Sequence, residues 1–162
     1  MNAPRLVRAV LGGLTLAGVA VLAGCAHLVV LHDPLAASEH NDLGVAYESS
    51  GQLDLAAREY RKALRLDSHQ ARARVNLGNV EAATGRWASA EECYRRALSD
   101  SSTDYDAMNN LAVALLRQGR RLEEARALAG RAVAAGGERD SVYRATLAEV
   151  EASAQRNGTT SK

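Results

Sequence analysis

A period of 34 residues runs through the chain: Gly44, Gly78 and Ala112 keep it, as do Gly51, Gly85 and Gly119, and Leu43, Leu77 and Leu111. Tyr60 and Tyr94, Ala56 and Ala90, Ala63 and Ala97, and Leu64 and Leu98 share the interval. A unit this short cannot bury its own apolar face, so a fixed period of this length means one supersecondary element copied and stacked. The third copy carries one extra residue after Gly119, which puts Ala125 and Ala132 one place late while they stay seven apart, like Ala56 and Ala63. The insertion is confined to a turn.

Within each copy the apolar spacing is helical. Leu43, Ala46 and Tyr47 form one stripe, and Ala56, Tyr60, Ala63 and Leu64 form another, on either side of a break at Gly51. Each copy is therefore expected to be a helical hairpin. Gly44 and Ala56 let its two helices approach closely, and Gly51, Gly85 and Gly119 take the left-handed conformation that ends the first helix. Asp54 is expected to cap the second helix and to pair with Arg58. Glu91 and Glu92, four before Arg95 and Arg96, read as solvated helix faces.

Composition narrows the function classes. Of 162 residues, 20 are Lys or Arg and 19 are Asp or Glu, a net charge of +1 that gives no electrostatic footprint for nucleic acid. The two cysteines, Cys25 and Cys93, form no C-x-x-C pair, and the histidines at 27, 32, 40 and 69 form no H-x-x-x-H pair, so no metal site and no cofactor are expected. A nucleophile beside an oriented base is also missing, and Gly12-Gly13 and Gly136-Gly137 do not build a phosphate loop. The expectation is a protein that is not an enzyme.

The repeat resembles the tetratricopeptide repeat (TPR) family, whose pattern W-x2-L-G-x2-Y, A-x3-F, A, P fits most of residues 37 to 139. The first copy supplies Leu43-Gly44, Tyr47, Ala56, Tyr60 and Ala63, with His40 at the tryptophan place and Ser68 at the proline place. In the second copy Glu81 replaces the tyrosine equivalent to Tyr47, and in the third Ala112, Leu115 and Ala129 replace glycine, tyrosine and tyrosine, so looser packing is expected there. The resemblance implies an all-α fold, a right-handed α-solenoid of three TPR hairpins at 37-70, 71-104 and 105-139. A capping helix is expected at 140-155, carrying Val142, Leu147 and Val150 on one stripe, and a disordered tail at 156-162.

The amino terminus differs in kind. Arg5 and Arg8 precede an uncharged run from Ala9 to Ala23, the layout of an export signal over residues 1-24. Leu22-Ala23-Gly24-Cys25 is similar to the lipobox of bacterial lipoproteins. That likeness implies cleavage after Gly24, acyl chains on Cys25 and a tether at 25-36. Without Arg5 and Arg8, 18 basic side chains face the 19 acidic ones, so the mature chain is nearly neutral. The same residues also read as an uncleaved membrane helix from Ala9 to Leu31, which leaves the domain on the same side of the membrane. Ala26 after the cysteine favours the outer membrane. The expected location is the bacterial envelope, lipid-anchored and facing the periplasm.

TPR resemblance further implies a concave groove lined by the first helix of each hairpin, with a protein or peptide partner in it. The groove candidates are Asn41, Val45 and Glu48, then Arg72, Val75, Asn76 and Asn79, then Asn109, Asn110, Val113 and Arg117. Asparagine amides donate to carbonyls and accept from N–H groups, so such a ladder reads a peptide backbone. Asparagine beside the Leu-Gly pair is equally a common feature of the family whatever the ligand. The carboxylate clamp of some members is not expected, because only Asn76 fits and Asp106 stands where a cation is needed. The arginines at 58, 61, 65, 95, 96, 120, 121, 126 and 131 read as a solvated face, with Arg120-Arg121 the best candidate for an anion contact. The leading expectation is a lipid-anchored adaptor in assembly of a pilus, secretin or other envelope complex; the alternatives are a scaffold regulating cell-wall hydrolases and an accessory of a peptide export or processing pathway.

Overall fold

The computed structural model describes residues 33 to 159. The expected signal at 1-24, Cys25 and most of the tether lie outside the described residues. Those described contain seven helices: α1 (Ala37–Ser49), α2 (Leu53–Leu66), α3 (Ala71–Ala83), α4 (Trp87–Asp100), α5 (Tyr105–Arg117), α6 (Leu122–Ala135) and α7 (Asp140–Thr159). Consecutive helices pack antiparallel as hairpins, and α1, α3, α5 and α7 also touch one another in order, which makes an α-solenoid with these first helices along one side.

The repeated glycines act as the periodicity requires. Gly51, Gly85 and Gly119 have φ of 75, 76 and 64°, a left-handed turn that a side chain would strain. Each closes the helix before it with the same backbone pair; in the first copy Gly51 N–H donates to the Glu48 carbonyl and Gln52 N–H to that of Tyr47, both at 2.9 Å. The extra residue of the third copy is absorbed by Arg121, whose φ of 51° makes it the one left-handed residue besides glycine among those described.

Gly44 and Gly78 serve a closer contact than the Ala56 approach expected from sequence. A Cβ on Gly44 would fall 2.5 Å from Tyr60 Cε1, and one on Gly78 2.6 Å from Tyr94 Cε1. The tyrosine rings sit directly against the glycine backbone, both fully buried. In the third copy the pair becomes Ala112 and Ala129, each with no exposed surface, as is Leu115. The third copy thus excludes solvent as fully as the first two, with Val150 and Leu147 of α7 packed against the same cluster. Two clusters form the core, one around Tyr60, Leu77 and Val80, the other from Tyr94 and Leu111 to Val150.

Local expectations fare unevenly. Gln52, not Asp54, is the cap residue of α2, and it makes no side-chain cap bond, so Asp54 contributes only charge to the first turn. Asp104 is the cap that forms, accepting from the Ala107 N–H at 2.9 Å. The last helix does not end at 155 but continues to Thr159. Its buried stripe is Tyr143, Thr146 and Val150, whereas Val142 is 44% exposed, because Tyr143 donates its hydroxyl to Asp106 Oδ1 at 2.7 Å and fixes the rotation of the helix.

Candidate functional site

On the face made by the first helices, the asparagines are tied to one another across repeats. Asn76 Nδ2 donates to Asn41 Oδ1 at 3.0 Å, linking α3 to α1, and Asn110 Nδ2 donates to Asn79 Oδ1 at 3.0 Å, linking α5 to α3. Asn79 Oδ1 also accepts the Tyr94 hydroxyl at 2.9 Å. What remains free toward the groove is Asn79 Nδ2, with Asn76 and Asn110 each keeping a carbonyl oxygen and one N–H. The ladder is thus both a staple between repeats and a row of donors and acceptors.

Several sequence candidates are not groove residues. Asn41 and Asn109 are each 3% exposed, and Val75 is 9% exposed in the core between repeats, so none of the three offers its side chain to a ligand. Glu48 is committed to Tyr60, whose hydroxyl it accepts at 2.6 Å. Burial first, and then this carboxylate, push the Tyr60 phenol well above its ordinary value. Arg117 is exposed but pairs with Glu149 at 3.3 Å, and Arg72 is exposed. The accessible candidates are therefore Val45, Arg72, Asn76, Asn79, Asn110, Val113 and Arg117.

Between α3, α4 and α5 the face hollows into a pocket of about 260 Å³, lined by Asn79, Ala82, Ala83, Trp87, Tyr94, Asn110 and Val113. Trp87 and Ala82 did not figure among the sequence candidates, since Trp87 opens a second helix. The signal was present in the repeat alignment: Ala82 stands where the first copy has Glu48 and the third has Leu116.

The outer side carries charge, arranged differently from a solvated face. Glu91 is 5% exposed and accepts from Arg95 Nε at 2.9 Å, Gln118 Nε2 at 2.9 Å, Arg120 Nη2 at 2.6 Å and Arg121 Nη1 at 3.2 Å. Burial opposes its ionisation, but the bonds from Arg95, Gln118 and Arg120 outweigh that and hold the carboxyl at about 2. Arg95 also grips Glu124 with two bonds of 2.6 and 2.9 Å, joining the second hairpin to the third. Arg120 and Arg121, the anion-contact candidates, are thereby tied to Glu91, although each side chain stays about half exposed. Glu81 is likewise buried and bound by Arg61 at 2.6 Å and by Arg86. Glu92 and Arg96, both largely exposed, form the one pair of the two that matches the solvated reading.

Two histidines also find partners. His40, 1% exposed, donates from Nδ1 to Glu59 Oε2 at 2.7 Å, and Lys62 lies 3.1 Å from Glu59 Oε1. Burial works against the Glu59 carboxylate, yet the His40 and Lys62 contacts keep it below its usual range. His69 sits 3.1 Å from Asp100. Cys93 is half-buried beside the first core cluster, and burial followed by the nearby Glu81 and Glu92 charges pushes its thiol up to about 11, away from reactivity. Among the described residues no group of His, Cys, Asp and Glu is arranged to hold a metal, and no helix is long and apolar enough to cross a membrane.

Stacked antiparallel hairpins with a first-helix face and a closing helix define the chain as a helical-repeat scaffold. The tetratricopeptide repeat model matches residues 41–105 and again 75–141, and the chain belongs to that family. Among solved structures it is similar to the first TPR of Spaghetti bound to an HSP90 peptide, at 18% identity over 78% of this chain and 98% of that one, with a TM-score of 0.68. It is similar to YrrB, described as a TPR protein with an unusual peptide-binding site, at 26% identity over 68% of this chain and 56% of that one, TM-score 0.63. The Yersinia enterocolitica type III secretion chaperone SycD, in complex with a peptide of the translocator YopD, matches at 20% identity over 74% and 93%, TM-score 0.66. No curated protein matches the chain in sequence.

Proposed function

We propose that this chain is a lipid-anchored adaptor of a bacterial envelope, whose TPR solenoid holds an extended segment of a partner protein on the face of α1, α3 and α5. Cys25 carries the lipid after cleavage behind Gly24, and the short tether keeps the solenoid at the periplasmic side of the outer membrane, near an assembling pilus, secretin or other envelope complex.

The observation that carries the reading is the contrast between the two sides. The outer carboxylates Glu81 and Glu91 are each bound by two or more cations, so their hydrogen-bonding capacity is spent on joining repeats. The first-helix side combines an open pocket free of charged lining with unspent amide groups on Asn76, Asn79 and Asn110, whereas the pocket on the outer side is lined by Glu91, Glu92, Arg95, Arg96, Arg120 and Arg121. The peptides held by the Spaghetti and SycD domains, and the peptide-binding site named for YrrB, support the same use of the fold here.

The test uses the full chain in cells. Palmitate labelling is expected on the wild type and absent from Cys25→Ser, and a partner crosslinked to the wild type is expected to be lost from Val113→Arg. Labelling that persists in Cys25→Ser refutes the anchor, and undiminished capture by Val113→Arg refutes the groove.

A further inference from the structure

One position facing the groove carries a different residue in each of the three repeats. Glu48 of the first copy, Ala82 of the second and Leu116 of the third are equivalent. In the first copy the Glu48 carboxylate sits at the tip of the Tyr60 ring and accepts its hydroxyl at 2.6 Å. In the third, Leu116 is half-buried and packs on the core. In the second, Ala82 leaves that space vacant, and Tyr94 turns its hydroxyl to Asn79 instead. The result is the 260 Å³ pocket over Trp87 and Tyr94.

We infer that this pocket is the anchor of the groove and takes one uncharged side chain, from leucine to phenylalanine in size, of an extended peptide whose backbone is met by Asn79 Nδ2 and Asn110 Oδ1. The inference rests on the groove reading above and names the partner's chemistry. The volume is below the ~300–1,000 Å³ of small-molecule sites. A cavity of about 150 Å³ already admits benzene, so the volume leaves room for a phenyl ring in this open pocket. The lining carries neither a carboxylate nor a cation. A charged side chain would lose its water against two aromatic rings without gaining a counter-ion. Asp106, at the place where some TPR domains use a cation to hold a carboxylate, is bound instead by Tyr143 and Arg139, and adds no positive charge to the groove.

Trp87 is the single tryptophan of the chain, so its emission reports on the pocket without a label. The purified full chain in detergent is titrated with capped, neutral heptapeptides of serine, threonine and glycine that carry leucine, phenylalanine, alanine or aspartate at the centre. The leucine and phenylalanine peptides are expected to shift the emission saturably, with alanine and aspartate weaker by about tenfold or more. Ala82→Glu, which reproduces the arrangement of the first copy, and Ala82→Gln, which fills the space without charge, are expected to remove that preference while helical circular dichroism stays unchanged. Equal binding of all four peptides, left intact by both Ala82 variants but weakened by Asn76→Ala, overturns the pocket and leaves the groove standing. Binding indifferent to Asn76→Ala and to both Ala82 variants overturns both, and absence of a saturable shift with the leucine peptide overturns the pocket.

Discussion

Replacing Gly78 with alanine tests whether the repeat geometry is set by the glycine–tyrosine contact. The new Cβ would stand 2.6 Å from Tyr94 Cε1, 2.9 Å from Cδ1 and 3.0 Å from Cζ. The ring cannot swing aside, because it is 2% exposed and its hydroxyl is held by Asn79 at 2.9 Å. Overpacking of this kind costs about 1–3 kcal/mol, against which alanine in a helix interior gains about 1 kcal/mol over glycine. The net expectation is destabilisation by about 0–2 kcal/mol. With Tyr94→Ala already present the clash is gone and Gly78→Ala should stabilise by about 1 kcal/mol, so the two changes couple by about 1–3 kcal/mol. That double change recreates the Ala112–Ala129 pair of the third copy. Urea denaturation of the unit Leu35–Lys162 followed by helical circular dichroism gives all four stabilities. A coupling energy indistinguishable from zero would refute the contact as the determinant.

Glu91→Gln should lower stability by about 1–3 kcal/mol, since the arginines and Gln118 lose a carboxylate. Because the folded carboxyl sits at about 2, below the usual carboxylate range, its contribution is full above about pH 5 and is lost as the pH falls toward 2. The gap between wild type and variant, measured by urea melts across that window, should close on acidification; a gap independent of pH contradicts the argument that the arginine and Gln118 bonds hold the carboxylate ionised. Asn76→Ala with Asn110→Ala should weaken partner binding by about 1–3 kcal/mol and also lower the melt, because both amides staple repeats. Calorimetric scans showing an unmoved melting temperature would mean that the staples contribute nothing. In a Cys25→Ser chain, Cys93 should react with iodoacetamide at pH 8 at least about tenfold more slowly folded than in urea, given its thiol near 11. Equal rates would contradict its burial.

The period and the glycines made the hairpins legible, because glycine at a fixed interval has few physical meanings: the left-handed turns at Gly51, Gly85 and Gly119 and the close contacts at Gly44 and Gly78 are both recovered. The pairing of the Gly44 helix with the next helix was legible, but the particular contact was not: an alanine at 56 suggests closeness, and only the structure shows the ring of Tyr60 against Gly44. Charges were the harder part. Glu91 and Glu92 look identical one after the other in a helix, yet Glu91 faces the third hairpin and is enclosed by four donor side chains, while Glu92 stays in water. What separates them is the stacking of the next repeat, which no local spacing encodes. The same holds for His40: at the tryptophan place it is buried, and Glu59 of the neighbouring helix supplies the partner that makes burial tolerable. In the groove, the list of first-helix residues captured Asn79, Asn110 and Val113 but included buried Asn41, Val75 and Asn109, because a helix face read from sequence is wider than the strip left open after stacking.

Site-specific photocrosslinking in intact cells addresses the central claim, that partners lie along α1, α3 and α5 rather than on the charged outer side. A photoreactive residue is placed at Val113, beside the pocket, and separately at Arg96, an exposed outer position whose partner Glu92 is also exposed. The account expects one discrete partner adduct from Val113, diminished by Ala82→Glu, and none of it from Arg96. The same adduct arising from Arg96 and missing from Val113 would contradict it.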